Sequence, residues 1–379
     1  MKLTHRRLLA PLALVAAAVL TLSACGSSDD AGSTTSAGAT AAGSEPAGSS
    51  APAGEEVAVT LITKDSTNPF WLAMKDGAEQ AATANNVALT FAFGKQDGDE
   101  QGQVEAIEQA IARGDKGILI ASNGPAVNTA IAKARDSGMY VIALDTPTDP
   151  ADAVDITFAT DNFLAGQLGG QWMAGTLDGQ KAVIAMLPAF TDKVVSVDVQ
   201  RYQGFLDGMG IDIGTEGQKG SEAPTGKYTG GKGGDYEIVC SEPGGGNADD
   251  SKTAMETCVS KSDDINVVYT INEPTGAGAH QALEAAGIEA TIVSVDGGCE
   301  GVKLVKDGVL GATSQQYPLK MAEQGVAAVA QIARGGEKPT TSDGLDFFNT
   351  GVALVTDNPV DGVDSIDTTQ GAALCWGAK

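Results

Sequence analysis

The sequence predicts an α/β protein of two domains built on parallel sheets with helices on both faces. Three observations predict it. From Val57 onward an apolar strand, a polar turn and an amphipathic helix recur along the chain. The strands are apolar on both faces, which suits strands covered from two sides. About 320 residues follow a signal-like start and a Ser/Ala/Gly-rich stretch ending at Glu55, enough to divide into two cores. Right-handed crossovers then follow by rule.

The ends stand apart from that fold. Lys2, His5, Arg6 and Arg7 make a basic start. Leu8 to Leu20 is an apolar run too short for a membrane span, which needs roughly 20 residues. "LSAC", Leu22 to Cys25, then places small residues before a cysteine. The stretch reads as a secretory signal. The tetrad resembles the lipobox of bacterial lipoproteins, which implies that residues 1–25 are a lipoprotein signal peptide and that Cys25 carries lipid. Residues 26–55 are almost all Ser, Ala, Gly and Thr, with nothing to bury, and are expected to form a flexible tether.

The net charge of −25 becomes −28 once Lys2, Arg6 and Arg7 are removed with the signal. A surface this acidic disfavours nucleic acid and offers no polybasic membrane patch. Four cysteines remain after Cys25: Cys240, Cys258, Cys299 and Cys375. An even number in an exported chain suggests two disulfides, with three pairings open. No metal site is expected, because no C-x-x-C occurs and the two histidines are His5 and His280. No cofactor is expected. "GGKGGD" and "EPGGGNAD" lack the ending and spacing of phosphate loops.

The elements follow in order. "VAVTLIT" is a strand leading to the helix that starts at Pro69. Pro suits the first helical position and Asn68 the cap before it. Trp71, Met74, Ala78 and Ala81 recur at helical spacing and face the sheet. Phe70 lies about 100° from Trp71 around the helix, so at least one of the two points away from that stripe. "GILIAS" leads to a helix through Val127, Ile131 and Ala134; "VIALD" ends at Asp145. "AVIAML" leads to a helix around Arg201, "YEIVC" to one through Met255, "VVYTIN" to "GAGAHQALEAAG" and "TIVSVD" to "GVKLVKDG". Gly214 to Gly234 has no periodicity and is expected to be an exposed loop.

Polar residues gather at the carboxyl ends of these strands, where open parallel sheets bind ligands. They are Lys64, Asp65 and Asn68, then Ser122 and Asn123, Asp145, Asn272 and Glu273, Asp296, and Gln315 with Gln316. Amides and carboxylates suit hydroxyls that both donate and accept, and Phe70 and Trp71 offer flat faces for the C–H face of a sugar ring. Each residue also has an ordinary structural reading. Asn68 and Asn272 could be helix caps, Trp71 core, Asp145 a turn former and Arg201 a surface residue.

The stretches "TNPFW", "GILIAS", "VIALDTPTD", "FATDN", "RYQGF", "TINE", "SVDGG" and "QQYP" together resemble the type I periplasmic sugar-binding proteins of ABC importers, the ribose-binding family. The resemblance implies two similar lobes joined by three hinge crossings and closing around one monosaccharide. It implies a lobe of residues 57–158 with 317–350 and a second of 159–316 with 351–379. Ligand contacts would be Asn68, Phe70, Trp71, Asp145, Arg201, Asn272, Asp296 and Gln316, with Lys64 also at the site. Lys64 stands where ribose binders carry a small hydroxyl residue, and Thr146 where they carry an arginine. "ITKDSTNPF", "ALDTPTDP", the paired cysteines and the terminal "CWG" resemble the fructose-binding branch. Beside that resemblance, the cysteines are expected to pair Cys240–Cys258, tying a strand end to its helix, and Cys299–Cys375, pinning the C-terminal tail near Asp296.

The implied protein is a monomeric lipoprotein on the outer face of the cell membrane. It is not an enzyme, and it would hand fructose, ribose, xylose or another sugar to a permease and ATPase on separate chains. Without ligand, the polar groups would be poorly satisfied in a closed form, which favours an open state. Two rival classes share the cleft: a sugar sensor docking on a receptor kinase, and a secreted sugar hydrolase using Asp145 and Asp296 as paired carboxylates.

Overall fold

The computed structural model describes residues 54–377 apart from 97 and 193. The signal segment, Cys25 and nearly all of the tether lie outside the described residues.

The first sheet begins with β1 (Val57–Thr63), whose every residue but Ala58 is buried. After it come α1 (Pro69–Ala84), β2 (Val87–Phe93), α2 (Glu100–Arg113), β3 (Gly117–Ile120), α3 (Asn128–Asp136), β4 (Tyr140–Leu144) and β5 (Ile156–Ala159). The chain then builds a second sheet through α4 (Asn162–Leu177), β6 (Ala182–Leu187), α5 (Ser196–Met209), β7 (Thr225–Tyr228), β8 (Gly234–Ser241), α6 (Ala248–Lys261) and β9 (Val267–Thr270). It continues with α7 (Glu273–Ala286), β10 (Thr291–Asp296), α8 (Cys299–Lys306) and β11 (Ala312–Gln315). It returns to the first sheet with α9 (Pro318–Ala333) and β12 (Phe348–Asn349). It ends on the second with β13 (Ala353–Val355), β14 (Ser365–Ile366) and α10 (Thr368–Leu374).

The strand orders are β12-β5-β4-β3-β1-β2 and β14-β13-β11-β10-β9-β6-β8-β7. The chain therefore passes between the sheets three times, after β5, after β11 and after β12. In the first sheet the order reverses around β1, and in the second around β6, the positions where parallel sheets open a crevice at their carboxyl ends. Pairing is parallel except at two places, β7 with β8 and β11 with β13. The first corrects the sequence expectation for Gly214–Gly234. Four of those residues form β7, and Tyr228 is buried with its hydroxyl donating to the Gln180 carbonyl at 2.7 Å. The segment carries too few apolar residues to announce a strand; one tyrosine and an edge partner suffice.

The stripe on α1 lies as its spacing predicts, with Trp71, Met74, Ala78 and Ala81 buried. Phe70 is buried as well, at 7% exposure, because Trp376 from the end of the chain packs on it. Cys240 is bonded to Cys258, joining β8 to α6, and Cys299 to Cys375, joining the start of α8 to the residue after α10.

Helices α4 and α5 cross at backbone contact. A Cβ at Gly166 would lie 2.1 Å from the Arg201 carbonyl oxygen, and one at Gly170 would lie 2.1 Å from that of Phe205. From the other side, Gly204 meets the Phe163 carbonyl and Gly208 that of Gln167, each at 2.1 Å. Two glycines four apart on each helix thus let α5 seat deeply, and this fixes where Arg201 stands. Gly169, on the same helix, has only Val293 nearby, at 3.8 Å. Gly166→Ala should therefore destabilise the protein by about 1–3 kcal/mol through overpacking. Gly169→Ala should be neutral, or stabilise by up to about 1 kcal/mol through helix propensity. Urea unfolding of both variants checks this; equal stability of the two would contradict the close crossing.

Candidate ligand-binding site

A cavity of about 600 Å3 lies at the carboxyl ends of both sheets. Its lining comes from the residues after β1 and β4 of the first sheet, from those after β9, β10 and β11 of the second, and from α5. Eight of the nine residues expected from the sequence line it: Asn68, Phe70, Trp71, Asp145, Arg201, Asn272, Asp296 and Gln316. Lys64 does not. Its ammonium sits 5.7 Å from the centre of the Trp71 ring, a cation–π distance.

Arg201, Asp296 and Gln316 form one network. The Arg201 Nε donates to Asn162 Oδ1 at 2.8 Å, and Nη1 donates to the Ile271 carbonyl at 3.0 Å and to Asp296 Oδ1 at 3.1 Å. Gln316 Nε2 donates to the same Asp296 oxygen at 2.8 Å, and Gln316 Oε1 accepts from Thr160 Oγ1 at 3.0 Å. At 4% exposure Arg201 is not the surface residue that a charged helix position suggests. Asn162, the Ile271 carbonyl and Gln316 thus partner the Arg201–Asp296 pair from within the protein.

Asp145 follows β4 and Asp296 ends β10, and both have positive φ, 64° and 132°. Non-glycine residues rarely hold such angles, and the second lies outside the left-handed helical well, so the surroundings must impose it. At Asp145 the backbone N–H donates to the Phe158 carbonyl at 2.9 Å, and Thr146 Oγ1 donates to the carboxylate at 2.8 Å. At Asp296 the following two amides are held by Glu273, the first residue of α7. Its carboxyl accepts from Gly297 N at 2.6 Å, from Gly298 N at 3.2 Å and from Thr313 Oγ1 at 2.7 Å. Glu273 is buried under α8, where a Cβ at Gly301 would meet its carboxyl carbon at 1.8 Å.

Burial pushes the Glu273 carboxyl up to about 8, and the charge of Asp296 adds to the rise, against the three hydrogen bonds. Burial also raises Asp296. The Arg201 guanidinium and the Gln316 amide oppose the rise, and Asp145 adds to it.

The "TNPFW" turn is built by Asp65, whose Oδ1 accepts from the amides of Thr67 at 2.7 Å and Asn68 at 2.8 Å. Burial would raise the Asp65 carboxyl, but these amide donors hold it below the usual carboxylate range. Asn68 caps α1, with Oδ1 accepting from Phe70 N at 2.9 Å, so the cap reading and the cavity position hold together. Asn272 caps α7 in the same way, accepting from Thr275 N and Oγ1, and its Nδ2 donates to the Gly246 carbonyl at 3.0 Å. Its amide is thus largely committed to the protein.

Four residues outside the expected ligand set belong to the site or hold it. Trp376 and Glu273 line the cavity. Asn162 orients Arg201, and Thr160 orients Gln316. Asn162 and Thr160 sit in "ATDN" after β5, a strand-end position like those that were read, so a signal existed. Trp376 carried a signal only through the terminal "CWG" of the branch resemblance, which did not place it at the site. Among the described residues no cluster of His, Cys, Asp and Glu could hold a metal ion, and no helix is long and apolar enough to cross a membrane.

Two α/β lobes that meet over a polar and aromatic cavity define a two-lobed binding protein. The chain belongs to the periplasmic binding protein domain family, whose model matches residues 58–338. It is similar to the ribose import binding protein RbsB of Salmonella typhimurium, 24% identical over 279 residues covering 73% of this chain and 85% of that one. It is also similar to the D-ribose/D-allose-binding protein of Pseudomonas aeruginosa, 27% identical over 315 residues, or 80% and 89% of the two chains. Among solved structures, an ABC transporter periplasmic solute binding protein from Actinobacillus succinogenes with bound D-allose has the same fold. Its TM-score is 0.67 at 20% identity, covering 84% of this chain and 99% of that one. These relatives are binding proteins of transporters, and this chain is a binding protein rather than an enzyme.

The raised Glu273 pKa has a sign that can be tested. In the unfolded chain the group ionises near 4.5, and in the folded chain near 8. Below both values its contribution to stability is complete. As pH rises from about 4.5 to 8 only the unfolded state loses the proton, so stability falls. The melting temperature should decline across that window, and Glu273→Gln should flatten the decline. Identical pH slopes in the two proteins, measured by thermal melts from pH 5 to 8.5, would contradict the assignment.

Proposed function

We propose that this chain is the extracytoplasmic substrate-binding lipoprotein of an ABC importer, capturing a monosaccharide in the cavity and delivering it to a membrane permease driven by an ATPase. The observation that carries the reading is the composition of the cavity wall. One side is a buried Arg201–Asp296–Gln316 network with Asp145 nearby, suited to hydroxyls that donate and accept. The other side is the aromatic pair Phe70 and Trp71, with centroids 4.7 Å apart, suited to an apolar ring face. The relatives support the class: their names specify ribose, allose and apiose, and those of the solved structures D-allose, D-fucose and galactofuranose.

Within the class, the branch resemblance puts fructose first, with ribose and xylose after it. The lobes are taken as residues 57–158 with 317–350 and 159–316 with 351–379, closing as a monomer about the three crossings. Asn68, Phe70, Trp71 and Asp145 would contact the sugar from the first lobe, and Arg201, Asn272 and Asp296 from the second. Gln316 contacts it at a crossing, and Lys64 acts only through Trp71. The tether would hold the protein at the membrane through lipid on Cys25.

Calorimetry with fructose, ribose, xylose, allose, D-fucose, glucose and galactose tests the reading, which fails if none binds. With the sugar that binds, Asp296→Ala should cost roughly 1–3 kcal/mol, or about tenfold to a hundredfold in affinity, because a buried donor loses its partner. Arg201→Ala should cost at least as much. Wild-type affinity in folded variants would remove the cavity assignment. Cys25→Ala should release the protein from the membrane or leave an unprocessed precursor. A variant that is processed and membrane-bound like the parent would remove the lipid anchor.

A further inference from the structure

The last described residues do something the rest of the fold does not require. Trp376 lies two residues beyond α10, which belongs with the second sheet, yet its side chain enters the hydrophobic cluster under the first. It meets Phe70 edge to face, with centroids 5.2 Å apart and planes at 84°. It also lines the cavity. Phe70 in turn meets Trp71 edge to face at 4.7 Å. The aromatic wall therefore has three members, contributed by two segments about three hundred positions apart in sequence.

Trp376 is fixed at both ends. Its indole N–H donates to the Gln316 carbonyl at 3.0 Å, at the crossing that also carries the Asp296 contact. Its own carbonyl accepts from Cys299 N at 2.9 Å. The preceding residue, Cys375, is bonded to Cys299, which itself lines the cavity. Since the polar atom of the indole is engaged by Gln316, the part of the ring left to a ligand is apolar. A ring buried to 9% exposure and tied in this way gives up little conformational freedom when something binds against it.

We propose that Trp376 is a ligand-contacting, specificity-determining residue that completes the aromatic wall, and that the Cys299–Cys375 bond positions it. The inference rests on the sugar-binding reading and sharpens it. The ligand class is a sugar with hydroxyls along one edge, for the Arg201–Asp296–Gln316 side, and a C–H face or deoxygenated carbon toward the three rings. The disulfide then serves the site as well as the fold. Without it, residues 375–377, which follow a seven-residue helix, would be held by the Trp376 contacts with Phe70, the Gln316 carbonyl and Cys299 N alone.

The experiment uses the purified protein and D-ribose, D-allose, D-fructose and D-fucose as probes, with calorimetry for affinity and melting curves for folding. Trp376→Ala should weaken the sugar that binds best by about tenfold, and unequally across the panel, because a lost contact alters discrimination. Trp376→Phe keeps an apolar ring and should lose only severalfold. The double variant Cys299→Ser/Cys375→Ser leaves Cys240–Cys258 in place. It should reproduce the discrimination of Trp376→Ala, and combining the two should add little, as expected for groups acting as a unit. A tryptophan that only fills the core predicts a lower melting temperature with panel affinities unchanged in ratio, and that result overturns the contact. A folded cysteine variant with wild-type affinity and ratios overturns the positioning role. If the wild-type protein binds no probe, the sugar reading fails first, before any variant is compared.

Discussion

The structure depends on Gln316 more than on any other side chain. It stands where the chain leaves the second sheet for α9, and all four of its polar atoms are engaged. The side chain joins Thr160 on a second crossing to the Asp296 carboxylate. The backbone N–H donates to the Asp296 carbonyl at 3.0 Å, and the backbone carbonyl accepts the Trp376 indole. The third crossing is tied to the first nearby, where Thr350 N and Oγ1 donate to the Ala159 carbonyl at 2.9 and 3.1 Å. A buried amide whose donors and acceptors are all used fixes geometry, because each lost partner leaves an uncompensated polar group. The hinge, the charged wall and the aromatic wall of the cavity therefore share one set of hydrogen bonds.

The charged wall is affordable only because of packing elsewhere. Among the described residues Arg201 is the one cation in the cavity lining, which also holds Asp145, Glu273, Asp296 and Glu300, in a chain whose net charge is −25. Its position is set by the glycine crossing of α4 on α5, which brings the Arg201 backbone against Gly166 and its guanidinium within reach of Asn162. Burial and the charge of Asp296 both push the Glu273 carboxyl up, which eases the excess of carboxyls beside the strained Asp296 turn.

Much of this was legible in the sequence for local reasons. A strand end announces itself by an apolar run that stops, so Asn68, Asp145, Asn272, Asp296 and Gln316 could be named from position alone. Their residue types then matched hydroxyl recognition. The α1 stripe was readable because helical spacing is local, and Asn68 with Pro69 marks a helix start on its own. What was not legible depended on partners far along the chain. Lys64 follows a strand as the others do, but the Asp65 turn and the Trp71 ring take it out of the cavity. Phe70 looked like the more exposed member of its pair because nothing nearby could cover it.

The sequence by itself determined the α/β repeat, the edge of the sheets at which a ligand could bind and the kinds of side chain waiting there, since periodicity and turn chemistry act over a few residues. The tertiary structure decided which charges compensate one another, how far Arg201 reaches, which carboxyl burial pushes up and that Trp376 closes the wall. Those outcomes depend on distances between segments up to three hundred residues apart, set by glycine contacts, a disulfide and hinge hydrogen bonds that no local pattern encodes.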